Sequence, residues 1–162
     1  MSSSEKLYSG ELHSLPIGKI MYDNETRHHS LLAVQDYNKG DMIISFSASS
    51  TQETPDRFTV QLSKNKHIVL APDYLKYLNH SCDPNCYINV DNLELIALHP
   101  IHKGDELTFF YPSTEWDMSE PFHCNCGTTP CLQKIQGAAY IPLDILNTYK
   151  LSSYIQQKIK AK

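Results

Sequence analysis

The sequence predicts a mainly β protein, and three observations carry that prediction. Short apolar segments recur between residues 17 and 111, several alternating with period two. Clusters of Asp, Asn and Gly separate them at close intervals, as turns between strands do. Helical spacing of apolar residues starts only after Pro142. Together these indicate a compact β architecture closed by short C-terminal helices.

Residues 17–22 read as the first strand, and Asp23-Asn24-Glu25-Thr26 as the turn after it. Leu31-Leu32-Ala33-Val34 suits a buried strand. The turn at 36–41, where Gly40 can supply a positive φ, leads into a strand over 42–46. Residues 47–55, rich in Ser and Thr, read as loop. Phe58-Thr59-Val60-Gln61-Leu62 alternates, and Ile68-Val69-Leu70 is its hairpin partner across 63–66. After Pro72, residues 73–76 fit one helical turn. Residues 86–90 and 93–98 form a second hairpin around Asp91-Asn92, and Lys103-Gly104-Asp105 launches a strand over 106–111. From Pro142, Leu143, Leu146 and Tyr149 and then Leu151, Tyr154, Ile155 and Ile159 predict two short helices, with Ser152 capping the second. Lys158, Lys160 and Lys162 complement the dipole at its C-terminal end.

A chain of 162 residues suffices for one domain with its own core. No run of 18 apolar residues exists to span a membrane, and residues 1–6 lack the basic start and apolar block of a secretory signal. The expectation is a cytoplasmic or nuclear protein with no membrane partner, whose residues 1–14 form a disordered tail. The formal net charge of −4 and the absence of a basic stripe argue against nucleic-acid binding. An acidic balance suits a Lys- or Arg-rich protein partner.

Five cysteines without an export signal argue against a disulfide framework. Cys124, Cys126 and Cys131 form Cys-x-Cys-x4-Cys on a loop with Gly127 and Pro130. Thiolates bind zinc at ~2.3 Å in a tetrahedron, so this loop offers three ligands, and Cys82 or Cys86 would complete the set. Cys82 lies within the second dense stretch, Tyr77-Leu78-Asn79-His80-Ser81-Cys82-Asp83-Pro84-Asn85, and Cys86 directly follows it; the stretch packs polar and metal-capable side chains ahead of an Asp-Pro-Asn turn.

Asn79-His80-Ser81-Cys82-Asp83-Pro84-Asn85, then Gly104-Asp105-Glu106-Leu107-Thr108-Phe109-Phe110-Tyr111, then the Cys-x-Cys-x4-Cys loop resemble, in that order, the SET-domain protein-lysine methyltransferases. Residues 31–43 resemble that family's N-terminal strand pair. The resemblance covers about residues 17 to 137. It implies a β-clip-like fold with knot-like threading: a SET domain over 15–118, a post-SET zinc segment over 119–137 and a helical segment over 138–162. It further implies S-adenosylmethionine on one face and a target lysine entering from the other. Tyr111 matches the catalytic tyrosine. Phe109 matches a position that sets how many methyl groups are added, and Phe there implies room for di- or trimethylation. Asn79 and His80 match cofactor contacts, with Tyr77 beside them, and Trp116 would wall the same pocket. Cys82, Cys124, Cys126 and Cys131 match the ligands of one structural zinc ion, which leaves Cys86 spare.

One stretch departs from the family. Arg27-His28-His29-Ser30 stands where a Gly-x-Gly loop approaches the cofactor, with His28 and Ser30 in place of glycines. These four residues are therefore expected beside the cofactor but in altered form. The expected activity is methyl transfer to a lysine of a protein substrate, a histone tail or another basic segment. Two rivals remain: a non-catalytic SET-like zinc module that binds a basic peptide, and a zinc-dependent nucleic-acid binder.

Overall fold

The structure, a computed structural model, describes residues 10–14 and 17–162. The first sheet is a meander of β1 (Gly10–Ser14), β2 (Gly18–Asp23) and β3 (His28–Ala33), all antiparallel. Residues 10–14, expected in a disordered tail, are thus a paired strand. Their backbone makes the ladder, and Gly-Glu-Leu-His-Ser carries no alternation to announce it. Residues 1–9 lie outside the described residues. Asp23 builds the expected turn between β2 and β3: its Oδ1 accepts from the backbone N–H of Glu25 at 2.9 Å and of Thr26 at 3.3 Å, and its carbonyl accepts from Arg27 at 2.7 Å. Arg27 closes the turn at φ 59°, a left-handed conformation that costs a non-glycine residue on the order of 1 kcal/mol or more. Gly18 lets β2 lie close to β3, since a Cβ there would meet Leu31 Cδ1 and the Leu32 carbonyl at 2.7 Å.

A second sheet sets β10 (Glu94–Ala97) between β4 (Met42–Ser45) and β9 (Cys86–Asn89). A third sets β7 (Lys66–Ala71) between β5 (Ser47–Gln52) and β6 (Thr59–Ser63). The two hairpins stand where the sequence places them, but β5 was expected to be loop. It is an edge strand whose side chains are almost all exposed, so no buried face stamps a period on its Ser-Ala-Ser-Ser-Thr-Gln.

The centre is a short parallel pair. β8 (Asn79–His80) lies beside β11 (Thr108–Phe109), Asn79 opposite Thr108 and His80 opposite Phe109. The strand expected over 106–111 is shared between two partners. Leu107 donates to the Leu31 carbonyl and Ala33 to that of Asp105, both at 2.8 Å, before residues 108 and 109 join β8. Tyr111 then begins a 3-10 turn, Tyr111–Ser113, because Pro112 has no N–H to continue a ladder. Beyond it, β12 (Phe122–His123) pairs with β13 (Lys134–Ile135) and brackets the cysteine loop. Two helices close the chain, α1 (Leu143–Leu146) and α2 (Ser153–Lys160). Ser152 caps α2, its Oγ accepting from the Ile155 N–H at 3.2 Å.

Three apolar clusters meet at residues 109–111. Phe109 is buried in the large cluster formed by the sheets, and Phe110 in the one beneath the helices, with Ala138, Leu146 and Ile155. Tyr111 packs against the first cluster and against the third, around Cys82, Cys124 and Ile135. Alternation of side chains along a strand sends neighbouring residues into different cores. Tyr149 ties the helices down: its ring stacks on Phe110 with centroids 3.6 Å apart, and its hydroxyl donates to the Cys82 carbonyl at 2.5 Å.

Asn85 clamps the central strand to the Asp-Pro-Asn turn. Its Nδ2 donates to the Glu106 carbonyl at 2.8 Å, and its Oδ1 accepts from the Thr108 N–H at 3.0 Å. Asn85→Ala leaves both backbone groups without these partners. It is expected to lower unfolding free energy by about 1–3 kcal/mol in urea titration, and an unchanged midpoint would remove the clamp from the account.

Candidate active site

A cavity of about 1000 Å3 opens between the third sheet, β8, β11 and the segment after Tyr111. It falls in the size range of pockets that enclose nucleoside-sized ligands. Eight residues expected at a site line it: Arg27, His28, His29, Tyr77, Asn79, His80, Phe109 and Tyr111. Two expected there do not. Ser30 is buried inside β3, its Oγ without a partner, because the pleat turns that position into the core. Trp116 packs with the helical cluster and lies beneath Lys158 and Lys162, at 5.3 and 5.6 Å from their amines. The chain turns at residues 111–114 and carries that indole to the other side.

The parallel pair aims the polar groups. Asn79 Nδ2 donates to the His29 carbonyl at 2.7 Å and to Glu106 Oε2 at 2.8 Å. His80 Nδ1 accepts the Tyr111 N–H at 3.1 Å, which makes Nε2 the protonated nitrogen, 3.3 Å from Cys82 Sγ. Burial pulls the His80 pKa down to about 4, so the ring is neutral. The Tyr111 hydroxyl donates to the Leu78 carbonyl at 2.7 Å. Burial, foremost, and then the negative charges of Glu106 and Glu115 hold its pKa far above the ordinary phenol value, with Arg57 opposing. The Phe109 ring lies 4.7 Å from that of Tyr111, and Phe122 meets Tyr111 edge-on at 5.9 Å. His29 stacks on Tyr77 at 4.7 Å.

The sequence reading missed several residues of this wall, Arg57, Glu106, Glu115, Met118 and Phe122 among them. Glu115 is the most unusual. Burial pushes its carboxyl up to about 7 even though Thr114 Oγ1 and the Gln61 N–H both donate to it. A Glu beside the only Trp gave no pattern by which to find it.

Cys82, Cys124, Cys126 and Cys131 converge, their Sγ atoms all within 4.8 Å of one another. Tetrahedral zinc with ~2.3 Å bonds would set sulfurs about 3.8 Å apart, and Cys82 and Cys124 stand at 3.9 Å. The Leu132 N–H on Cys82 at 3.3 Å and the Thr128 hydroxyl, 3.1 Å from Cys126 Sγ, supply the hydrogen-bonding surround that thiolate ligands favour. The four cysteines therefore fit one zinc ion. Cys86 stays apart, buried in the first core with its thiol on Asn85 Oδ1 at 3.3 Å. Cys126 also lines the cavity, so metal centre and cavity share a wall.

Comparison with known proteins accords with this geometry. The family model described as SET domain matches residues 28–112, just over half of the chain. The chain belongs to the SET-domain family. This SET domain is 40% identical over 106 residues to a protein named methyltransferase flvH from Aspergillus flavus, covering 64% of the chain and 59% of that protein. It is 39% identical over 62 residues to histone-lysine N-methyltransferase 2B of Homo sapiens, covering 35% of the chain and 2% of that protein. The chain thus spans less than two thirds of the length of these relatives. A solved structure of KRYPTONITE, in complex with mCHG DNA and SAH, superposes with a TM-score of 0.52 at 17% identity, covering 65% of this chain and 26% of that one, which shows the shared fold. Among the described residues no helix is long and apolar enough to cross a membrane.

Zinc loss should loosen the loop from β8, because Ile135 is the one fully buried side chain of the third cluster besides cysteines, with Tyr111, Met118, Phe122 and Leu132 only half-buried around it. Elemental analysis is expected to find one zinc per chain and much less in Cys131→Ser, together with a lower thermal midpoint. Full occupancy in the variant would remove Cys131 from the ligand set.

Proposed function

We propose that this protein transfers methyl groups from S-adenosylmethionine to the ε-amine of a lysine in a protein substrate. The observation that carries this reading is the Tyr111 hydroxyl, held by the Leu78 carbonyl in a cavity it shares with Phe109, Asn79 and His80, on a chain of the SET-domain family. S-adenosylmethionine supplies a methyl group already activated by its sulfonium, so the protein's task is alignment, which is worth ~7–11 kcal/mol in favourable cases. Arg27, His28, His29, Tyr77, Asn79 and His80 would hold that cofactor, and they fit it in polarity and in cavity size. With its proton committed to Leu78 and its ionisation suppressed, Tyr111 offers lone pairs to the amine without acting as a base. Phe109 and Phe122 exclude water around the lysine stem.

The substrate class follows from charge and kinship. A net charge of −4 complements a basic segment, and relatives named histone-lysine methyltransferases make a histone tail the first candidate, which would place the protein in the nucleus. Phe109 cannot hold a water against the amine, so the site has room for di- and trimethyl-lysine.

Incubation with radiolabelled S-adenosylmethionine, core histones and cell extract is expected to label a protein band, with roughly 100-fold less label for Tyr111→Phe. No label and no cofactor binding by calorimetry would move the reading to a non-catalytic module that binds a basic peptide. Phe109→Tyr should shift the product toward monomethyl-lysine in mass spectra. An unchanged product distribution would show that Phe109 is core only.

A further inference from the structure

The cavity wall holds an acid for which the reading above has no use. Glu115 sits two residues beyond the turn Tyr111–Ser113, its own N–H donating to the Tyr111 carbonyl at 3.1 Å. Thr114 Oγ1 and the Gln61 N–H, the latter at 3.3 Å, both donate to the same carboxylate oxygen, Oε2. Gln61 is itself fixed, its Oε1 accepting the Trp116 N–H at 3.1 Å and its Nε2 donating to the Ser63 carbonyl at 3.1 Å. Among the described residues no donor reaches Glu115 Oε1, and that atom is not among the enclosed side-chain oxygens without a partner. It is therefore accessible, in a residue that lines the cavity. One oxygen holds the carboxylate in place, and the other is left without a donor in a residue that lines the same cavity as Tyr111.

We propose that Glu115 receives the proton of the substrate's ε-ammonium, an inference that rests on the methyltransferase reading. The N–H bond breaks with its electron pair left on nitrogen, and an O–H bond forms at Oε1. The freed lone pair is the nucleophile, and the proton leaves to cavity water before the next turnover. The other groups around the cavity are less suited. The Tyr111 hydroxyl is protonated and committed to Leu78, and Glu106 holds the Asn79 amide through Oε2 and has a further interaction besides. His80 is neutral with Nδ1 already accepting, and Arg57 and Lys76 bring only positive charge. Asp56 is engaged by the Phe58 N–H at 2.8 Å and Gln52 Nε2 at 3.1 Å, while Glu120 and His123 line the cavity only at its solvent-exposed rim. A carboxyl lifted to about 7 by burial is a far better proton acceptor than one at its ordinary value. The same dry, aromatic surroundings lower the ammonium's hold on its proton and so narrow the gap between them. The sign is fixed: below about pH 7 Glu115 is protonated and cannot accept, so the rate should rise with pH through that value.

Methyl transfer to a lysine peptide, measured at saturating cofactor from pH 6 to 10, tests this with Glu115→Gln and Glu115→Asp. The glutamine keeps a carbonyl oxygen for Thr114 and Gln61, so the wall stays built. The expected result is a loss of roughly 100-fold near pH 8 in Glu115→Gln that shrinks steadily toward pH 10, where more of the lysine is already neutral. Glu115→Asp should keep the rise near neutrality at a reduced rate. Calorimetry at pH 8 adds a readout without turnover: the lysine peptide should bind more tightly than its norleucine analogue, and Glu115→Gln should erase the difference. An equal loss at every pH, or none, with the binding difference retained, would overturn the proposal and leave Glu115 a structural tie. Absence of any transfer by the unaltered protein would instead overturn the methyltransferase reading.

Discussion

Two residues of β8 lying parallel to two of β11 hold the site together, and the side chains of that pair do more than its few backbone bonds. His80 bridges the two functional centres, accepting the Tyr111 N–H on one nitrogen and placing the other against Cys82. Asn79 does the same toward the other side, joining the His29 carbonyl to Glu106. Parallel pairs are slightly less stable per residue than antiparallel ones and need distant segments brought together first. Two residues a side could not persist unaided. Their permanence comes from Asn85, which grips Glu106 and Thr108, and from the hydrogen bonds that Leu31 and Ala33 make with residues 105 and 107.

The same pair explains why the zinc-fitting cysteines belong so close to the chemistry. Tyr111 lies where the sheet core ends and the small cluster of Cys82, Cys124 and Ile135 begins. If the loop of residues 124–131 came loose, one face of the tyrosine would meet water. Its hydroxyl would then have solvent as an alternative to Leu78, and its orientation would no longer be unique. Tyr149 reinforces this from the helical side by holding the Cys82 carbonyl. If the protein transfers methyl groups as proposed, a metal that takes no part in the reaction would still govern it through the position of one phenol.

Much of this was legible in the sequence where a residue type has few other uses. Cys-x-Cys-x4-Cys pointed to a cluster that fits a metal because thiolates at that density seldom have another purpose, and the strands of the 59–71 and 86–97 hairpins announced themselves through their buried residues. The sequence was silent where pairing is made by backbone alone. Gly10–Ser14 carries no alternation in its sequence, and the exposed edge strand β5 has no buried face to impose one. It was also silent on Glu115, because an acid becomes unusual only through its surroundings, and those come from Gln61, more than fifty positions away. Trp116 was misplaced for the converse reason. An aromatic five residues past Tyr111 suggests the same pocket until the 3-10 turn and Pro112 rotate the chain away.

The Arg27-His28-His29-Ser30 departure looks less disruptive in three dimensions than in one. What the cavity takes from this stretch in the structure is a backbone group, the His29 carbonyl that orients Asn79, and a carbonyl is available from any residue. Glycine would add freedom of φ and room for close approach. The freedom is needed at Arg27, which adopts φ 59° at the cost of some strain, with the Asp23 carbonyl accepting its N–H. The room is replaced by stacking, for His29 lies between Tyr22 and Tyr77 at 5.0 and 4.7 Å. Where the resemblance leads one to expect Gly-x-Gly, this chain has a wall of rings already in place. Such a wall gives up adaptability and in return loses less conformational entropy when the cavity fills.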